Sequence, residues 1–146
     1  MSDMSSFPAP SEDEKTMAFL AQLLMALTGF IGPLVIYLVR RKSPFVAFHA
    51  LQALFWEILR FLLTIAAMAV FMFLFILKIG QAAGSGHPPQ SLPPHFFLFF
   101  PLLWLVFMGV WAISLALGIY FGIQAKQGKW AQYPVLGKLA LKCVSN

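Results

Sequence analysis

Three apolar stretches alternate with polar ones along this chain, and each is long enough to form a membrane-crossing helix. Residues 17–39 carry no charge, residues 61–77 are apolar except for Thr64, and residues 97–123 carry no charge either. A helix of about 20 residues rises about 30 Å, which is the thickness of a bilayer's hydrocarbon core. The pattern therefore predicts an all-α, polytopic membrane bundle with three transmembrane helices, at about 17–39, 61–78 and 97–123.

The first span has a marked start. Ser11 stands three residues before Glu14, which is the spacing of a capping box, so we expect a helix from about residue 12, after a disordered tail at 1–11. Pro33 lies inside the span and removes a backbone donor. We therefore expect one helix over 17–39 that is kinked near Pro33.

Residues 45–60 have a different pattern, with polar side chains on one helical face and apolar side chains on the opposite face. The polar face consists of His49, Gln52, Glu57 and Arg60. This pattern is typical of an interfacial amphipathic helix, and no Pro or Gly separates it from the second span. Glu57 and Arg60 have two interpretations: an interfacial ion pair, or a polar contact with a partner or passing substrate.

Composition and charge agree with a membrane protein. The chain of 146 residues is 60% hydrophobic and 10% charged, and its mean hydropathy is +0.82, whereas soluble domains have about 25% charged residues. Its net charge of +5 comes from basic residues that flank the apolar stretches, which indicates orientation rather than nucleic-acid binding. The lipid bilayer is therefore the expected partner.

Most basic residues fall on one side of a three-span arrangement. That side would hold Arg40, Arg41, Lys42, Lys126, Lys129, Lys138 and Lys142, and the other only Lys15 and Lys78. The positive-inside rule then places the N-terminus and the Gly/Pro-rich loop at 79–95 outside, and the C-terminus in the cytoplasm. The membrane domain would cover 12–142, with a short tail at 143–146.

Small residues recur at every fourth position of the third span. Ser114, Gly118 and Gly122 form a ridge that lets a neighbouring helix approach closely. The ridge has two interpretations, packing inside the monomer or a face for self-association or a partner subunit.

Candidate chemistry is sparse. The three histidines are scattered over helix and loop, so a zinc site with three or four converging ligands is not expected. The sequence has no nucleophile elbow, no phosphate-binding glycine loop and no paired carboxylates. We therefore expect no catalytic residues, no metal and no cofactor, and we interpret the chain as not an enzyme.

Several short motifs occur in an order that resembles a known family. They are Pro33-Leu34, Ser43-Pro44-Phe45-Val46, Gln52-Ala53-Leu54, Ala125 with Gly128, and Tyr133-Pro134. The set resembles bacterial relatives of the twenty-kilodalton inner-envelope subunit of the chloroplast protein-import translocon, a group that includes MamF-like magnetosome membrane proteins. The resemblance covers roughly residues 12–142.

The resemblance implies a small helical protein of a bacterial cytoplasmic membrane without known enzymatic activity. It gives an architectural role to Pro33, Ser43, Pro44, Phe45, Tyr133 and Pro134. The leading hypothesis is a structural or accessory subunit that self-associates, packs within a larger membrane complex or supports membrane and organelle biogenesis. The alternative is a component of a protein-translocation or channel-like assembly.

Overall fold

The computed structural model describes residues 8–84, 94–134 and 136–144, and within these residues the chain is helical without strands. The helices are α1 (Glu12–Thr28), α2 (Ile31–Arg40), α3 (Pro44–Gly84), α4 (Pro94–Lys126) and α5 (Leu136–Val144). The expected start of α1 is confirmed, because Ser11 and Glu14 form the reciprocal bonds of a capping box. The predicted tail at 1–11 and loop at 79–95 lie largely outside the described residues.

The prediction of one kinked helix over 17–39 is wrong, because the chain turns at Gly29 and Phe30. Gly29 ends α1 with φ 62° and ψ −140°, a backbone conformation that favours glycine. Pro33 lies in the first turn of α2, where a missing N–H costs little. The proline therefore follows a turn between two helices and does not kink one.

Helices α1 and α2 form an antiparallel hairpin. Ala21 of α1 and Ile36 of α2 belong to one buried apolar cluster. At the open end, Arg40 Nη2 lies 2.8 Å from Asp13 Oδ2, and a hydrogen bond with the Ser43 side chain holds the pKa of Glu14 below its usual value. The start of α1 and the basic turn after α2 thus lie side by side. The prediction of an N-terminus outside the membrane required one crossing between these two segments, and the hairpin removes that crossing.

In the described part of the chain, two helices are long and apolar enough to cross a membrane. The candidate spans are Pro44–Gln81 in α3 and Phe100–Lys126 in α4, and α2 is too short. The predicted continuity of 45–60 with the second span is confirmed, since α3 is uninterrupted from Pro44 to Gly84. The three predicted transmembrane helices are not confirmed.

The chain forms two compact units. Unit 1 comprises Met1–Leu59 and Trp111–Asn146, and unit 2 comprises Arg60–Val110. In unit 2 the described side chains are mostly apolar and exposed. The Phe71 ring stacks on Phe75 and meets Phe100 edge-on.

In unit 1 the C-terminal helix α5 packs against α3. Ala140 and Leu141 of α5 pack against Phe48 and Leu51 of α3. Phe45 of α3 packs against Ala18 of α1 and Ala125 of α4, and Ile36 of α2 packs in the cluster with Ala21. All five described helices therefore contribute to this unit.

Candidate functional site: a buried polar network

The polar face predicted for 45–60 is turned into the protein. His49 and Gln52 are fully buried, and Glu57 is only 2% exposed. In a helix with polar side chains on one face, burial of that face requires polar partners on the neighbouring elements. Those partners come from α1 and from the segment between α4 and α5.

Gln22, Gln52 and Tyr133 form the centre of the network. The Tyr133 hydroxyl donates to Gln22 Oε1 at 2.7 Å, and the Tyr133 backbone N–H donates to Gln52 Oε1 at 2.6 Å. Gln52 Nε2 donates to the carbonyl of Ala131 at 3.1 Å, and Gln22 Nε2 donates to the carbonyl of His49 at 3.0 Å. Gln22 therefore joins α1 to α3 and to the segment between α4 and α5, and Gln52 joins α3 to that same segment.

His49 extends this network to the segment that follows α4. Its Nε2 lies 3.1 Å from the carbonyl oxygen of Lys129, and because a carbonyl only accepts, this nitrogen carries the proton. Among the described residues, Nδ1 has no hydrogen-bond partner. The rings of Phe45 and Phe48 pack against the imidazole at centroid distances of 4.7 and 5.1 Å.

Glu57 and Arg60 lie one turn apart on α3. Glu57 is buried, and Arg60 is half-buried. Glu57 Oε2 lies 3.7 Å from the position that a Cβ on Gly29 would occupy. The carboxylate thus sits beside the α1–α2 turn.

The ridge of Ser114, Gly118 and Gly122 packs inside unit 1. A Cβ on Gly118 would lie 2.7 Å from the carbonyl oxygen of Gln22, and one on Gly122 would lie 3.1 Å from Phe19 Cδ2. Ser114 Oγ accepts a hydrogen bond from Trp56 Nε1 at 3.0 Å. Of the two interpretations of this ridge, packing within the monomer is the one that the structure contains.

The motif residues around the basic turn and the C-terminal segment have architectural positions. Ser43 Oγ accepts from the N–H of Val46 at 3.3 Å at the start of α3, and Pro44 is the first residue of that helix. Phe45 is buried. Tyr133 belongs to the network, and the exposed Pro134 precedes α5, where its carbonyl accepts from Leu136 N–H at 2.8 Å.

Two hydrogen-bonding side chains of unit 1 were missed in the sequence, Gln22 inside this network and Trp111 outside it. Gln22 is the one amide in the apolar stretch 17–39, and a lone amide in such a stretch needs a buried partner, which was the available signal. Trp111 Nε1 donates to the carbonyl of Ala26 at 3.1 Å. No sequence signal indicated this bond, because it depends on where α1 ends.

The chemical groups of this network suit a structural role, in which they hold helices together, better than acid–base chemistry. Its members are two amides, a phenol and an imidazole that donates to a backbone carbonyl. Burial, and secondarily the charge of Glu57, raises the pKa of Tyr133 above its ordinary value, so the phenol stays neutral. Among the described residues, no group of three or more His, Cys, Asp or Glu side chains could hold a metal ion.

Comparison with known proteins identifies the family. The chain matches the magnetosome magnetite crystal formation protein family (MamF/MmsF) over residues 13–140 and belongs to it. No match was found among curated proteins or among solved structures. The MamF-like part of the resemblance is therefore confirmed, whereas the relationship to the import translocon is not, and the channel-like assembly stays a prediction.

Proposed function

We propose that this member of the magnetosome magnetite crystal formation family acts as a non-enzymatic structural protein of a membrane during crystal formation. The family match supplies the process, and the apolar lengths of α3 and α4 support a membrane location.

The observation that carries this proposal is the use of the buried polar side chains. Gln22, Gln52 and Tyr133 bond to one another or to backbone groups of other elements. A group whose hydrogen bonds fix the fold is not free to bind or convert a substrate. Catalysis would instead require a titratable group aimed into a cleft.

Magnetite formation tests the proposal directly. Cells lacking the gene would be complemented with the natural chain or with His49→Gln or Glu57→Gln, which remove the titratable group and keep a similar shape. We expect altered crystals without the gene and restored crystals with each variant, measured by electron microscopy. Normal crystals in the deletion strain would overturn the role in crystal formation, and failure of a folded variant would overturn the non-enzymatic role.

The proposed topology has two spans, with both termini and the basic turn on the cytoplasmic side of a bacterial membrane. Supporting this, Asp13 pairs with Arg40, and Lys126 Nζ donates to Thr16 Oγ1 at 2.7 Å. These contacts bring together the start of α1, the end of α2 and the end of α4. The positive-inside rule assigns such a basic end to the cytoplasm.

Single cysteines test this topology. In a Cys143→Ala background, Ser11→Cys and Ser85→Cys would be exposed to a membrane-impermeant maleimide in intact spheroplasts. We expect labelling of the cysteine at position 85 and protection of the cysteine at position 11. Cys143, tested in the natural chain, should also be protected. Labelling of position 11 from outside would contradict the two-span arrangement.

Self-association, or assembly with other membrane subunits, is part of the proposal. Because the Gly118 ridge packs against α1, the exposed apolar side chains of unit 2 offer the surface for such contacts. They include Leu102, Trp104, Leu105 and Val106 on α4. Purification in mild detergent, with mass measurement and crosslinking, should give an oligomer or a stoichiometric partner, whereas a monomer without crosslinks would contradict this part.

A further inference from the structure

The α1–α2 hairpin exposes an apolar surface around its tip and along α2. The side chains involved are each more than 40% exposed: Leu27, Phe30, Ile31, Val35, Leu38 and Val39. A contiguous apolar surface of this kind is unfavourable in water and marks a contact with lipid or protein.

Several backbone groups near the tip have side-chain hydrogen-bond partners within the chain. Thr28 Oγ1 donates to the carbonyl of Leu24 at 2.9 Å and accepts from the N–H of Gly32 at 3.0 Å. Trp111 Nε1 satisfies the carbonyl of Ala26 near the end of α1. In water these groups would need no such partners, whereas in the bilayer each unsatisfied group costs several kcal/mol.

The open end of the hairpin has the opposite character. Arg41 and Lys42 are exposed in the turn after α2, and Arg40 and Asp13 are about half exposed. Basic side chains in this position suit the headgroups of anionic lipids. The hairpin thus runs from a charged base to an apolar tip.

The length of the α1–α2 hairpin limits how deep its tip reaches into the bilayer. The apolar part of α1, residues 17–28, rises about 18 Å, and the apolar part of α2, residues 31–39, rises about 14 Å. A hydrocarbon core is about 30 Å thick. With the base at the headgroups, the tip reaches about the midplane.

We propose that the hairpin inserts into the anionic leaflet on the basic side, stops near the midplane, and makes the protein prefer membranes that are convex on that side. Two helices that enter one leaflet without crossing increase the area of that leaflet alone. A leaflet with added area is accommodated best where it forms the outer, convex surface, and amphipathic insertions are known to depend on curvature in this way.

Depth measurement in vesicles tests the insertion. In a Cys143→Ala background, a fluorophore would be attached to Phe30→Cys at the tip and to Arg41→Cys at the base, and the vesicles would contain phosphatidylglycerol lipids brominated at different acyl positions. We expect the deepest bromines to quench the tip label most and the shallowest to quench the base label most. Quenching of the tip label by aqueous iodide from either side would overturn the proposal.

Curvature preference is tested with the same reconstituted chain. We expect it to be enriched at least about twofold in small sonicated vesicles over large extruded ones, with its basic end facing outward. The pair Leu27→Gln and Ile31→Gln adds unpartnered amides at the exposed tip and should abolish the enrichment, whereas Leu27→Ala and Ile31→Ala should keep most of it.

Equal distribution of the natural chain, or an unchanged enrichment in the Gln pair, would overturn the curvature proposal. Circular dichroism of each variant would verify that the helices are retained. The vesicles contain no magnetite, so these results do not depend on whether the chain acts in crystal formation.

Discussion

Units 1 and 2 share the two long helices α3 and α4, yet they are stabilised differently. In unit 1, polar side chains are buried and bonded, and helices approach one another at Gly118 and Gly122. In unit 2, most described side chains are apolar and exposed. Specific contacts should therefore determine the stability of unit 1, whereas lipid should determine that of unit 2.

The largest expected effect comes from filling the close approach at Gly118. Gly118→Leu would place a side chain 2.7 Å from the carbonyl oxygen of Gln22, and backbone cannot move aside easily. We expect a loss of about 3 kcal/mol in the free energy of unfolding, the upper range for overpacking. Thermal unfolding in detergent, followed by tryptophan fluorescence, would measure it.

Gly109→Leu is the matched control on the same helix. A Cβ at Gly109 meets nothing within 4 Å, and Leu has a better helix propensity than Gly by just under 1 kcal/mol. We expect unchanged or slightly raised stability. Equal losses at Gly109 and Gly118 would contradict the distinction between the two units.

Tyr133→Phe should produce the next largest effect. The substitution removes the hydroxyl that donates to Gln22 Oε1 and leaves a buried acceptor without that bond, which costs about 1–3 kcal/mol. The control is Tyr120→Phe, since the Tyr120 side chain is 57% exposed. A Tyr133→Phe chain as stable as the Tyr120→Phe chain would show that the network does not stabilise unit 1.

The raised pKa of Tyr133 predicts that the stability of the chain depends on pH. The pKa of Tyr133 is raised above its ordinary value of 10.0, so the folded chain holds this proton more tightly than the unfolded chain does. Its contribution to stability is complete below about pH 10 and is lost as the pH rises above that value. The difference in melting temperature between the natural chain and Tyr133→Phe should therefore shrink at high pH, and a constant difference would contradict the assignment.

The sequence predicted the local features of this fold well. The capping box at Ser11 and the uninterrupted helix through residue 60 depend on neighbouring residues, and both are confirmed. The hairpin was missed because an apolar stretch of 23 residues fits one span or two packed helices equally well. Contacts between residues far apart in sequence, such as Asp13 with Arg40, distinguish the two.

The candidate site shows the same limit. The polar residues of 45–60 were found from their spacing, but an exposed interfacial face and a buried face have the same helical pattern. Their burial depends on Gln22 and Tyr133, which lie 27 and 84 positions from His49. Helical periodicity carries no information about such distant partners.

Gly29→Ala should have a smaller effect on the hairpin. The turn needs φ 62° and ψ −140° at this position, and a side chain there costs about 1–2 kcal/mol in strain. Gly80→Ala is the control, because Gly80 lies inside α3 with nothing within 4 Å of its Cβ position. Melting temperatures in detergent should fall for Gly29→Ala and hold or rise for Gly80→Ala, whereas equal values would contradict the strained turn.

The smallest expected effect concerns the ion pair at the base of the hairpin. The side chains of Asp13 and Arg40 are 56% and 43% exposed, and exposed pairs contribute about 0.2–1 kcal/mol, less at high salt. Asp13→Asn should therefore lower stability slightly in low-salt detergent and not measurably in high salt, because the Gly29 turn and the packing of Ala21 with Ile36 remain. A salt-independent loss well above 1 kcal/mol would instead show that the pair is shielded from water, and that the charged base lies deeper than the headgroups.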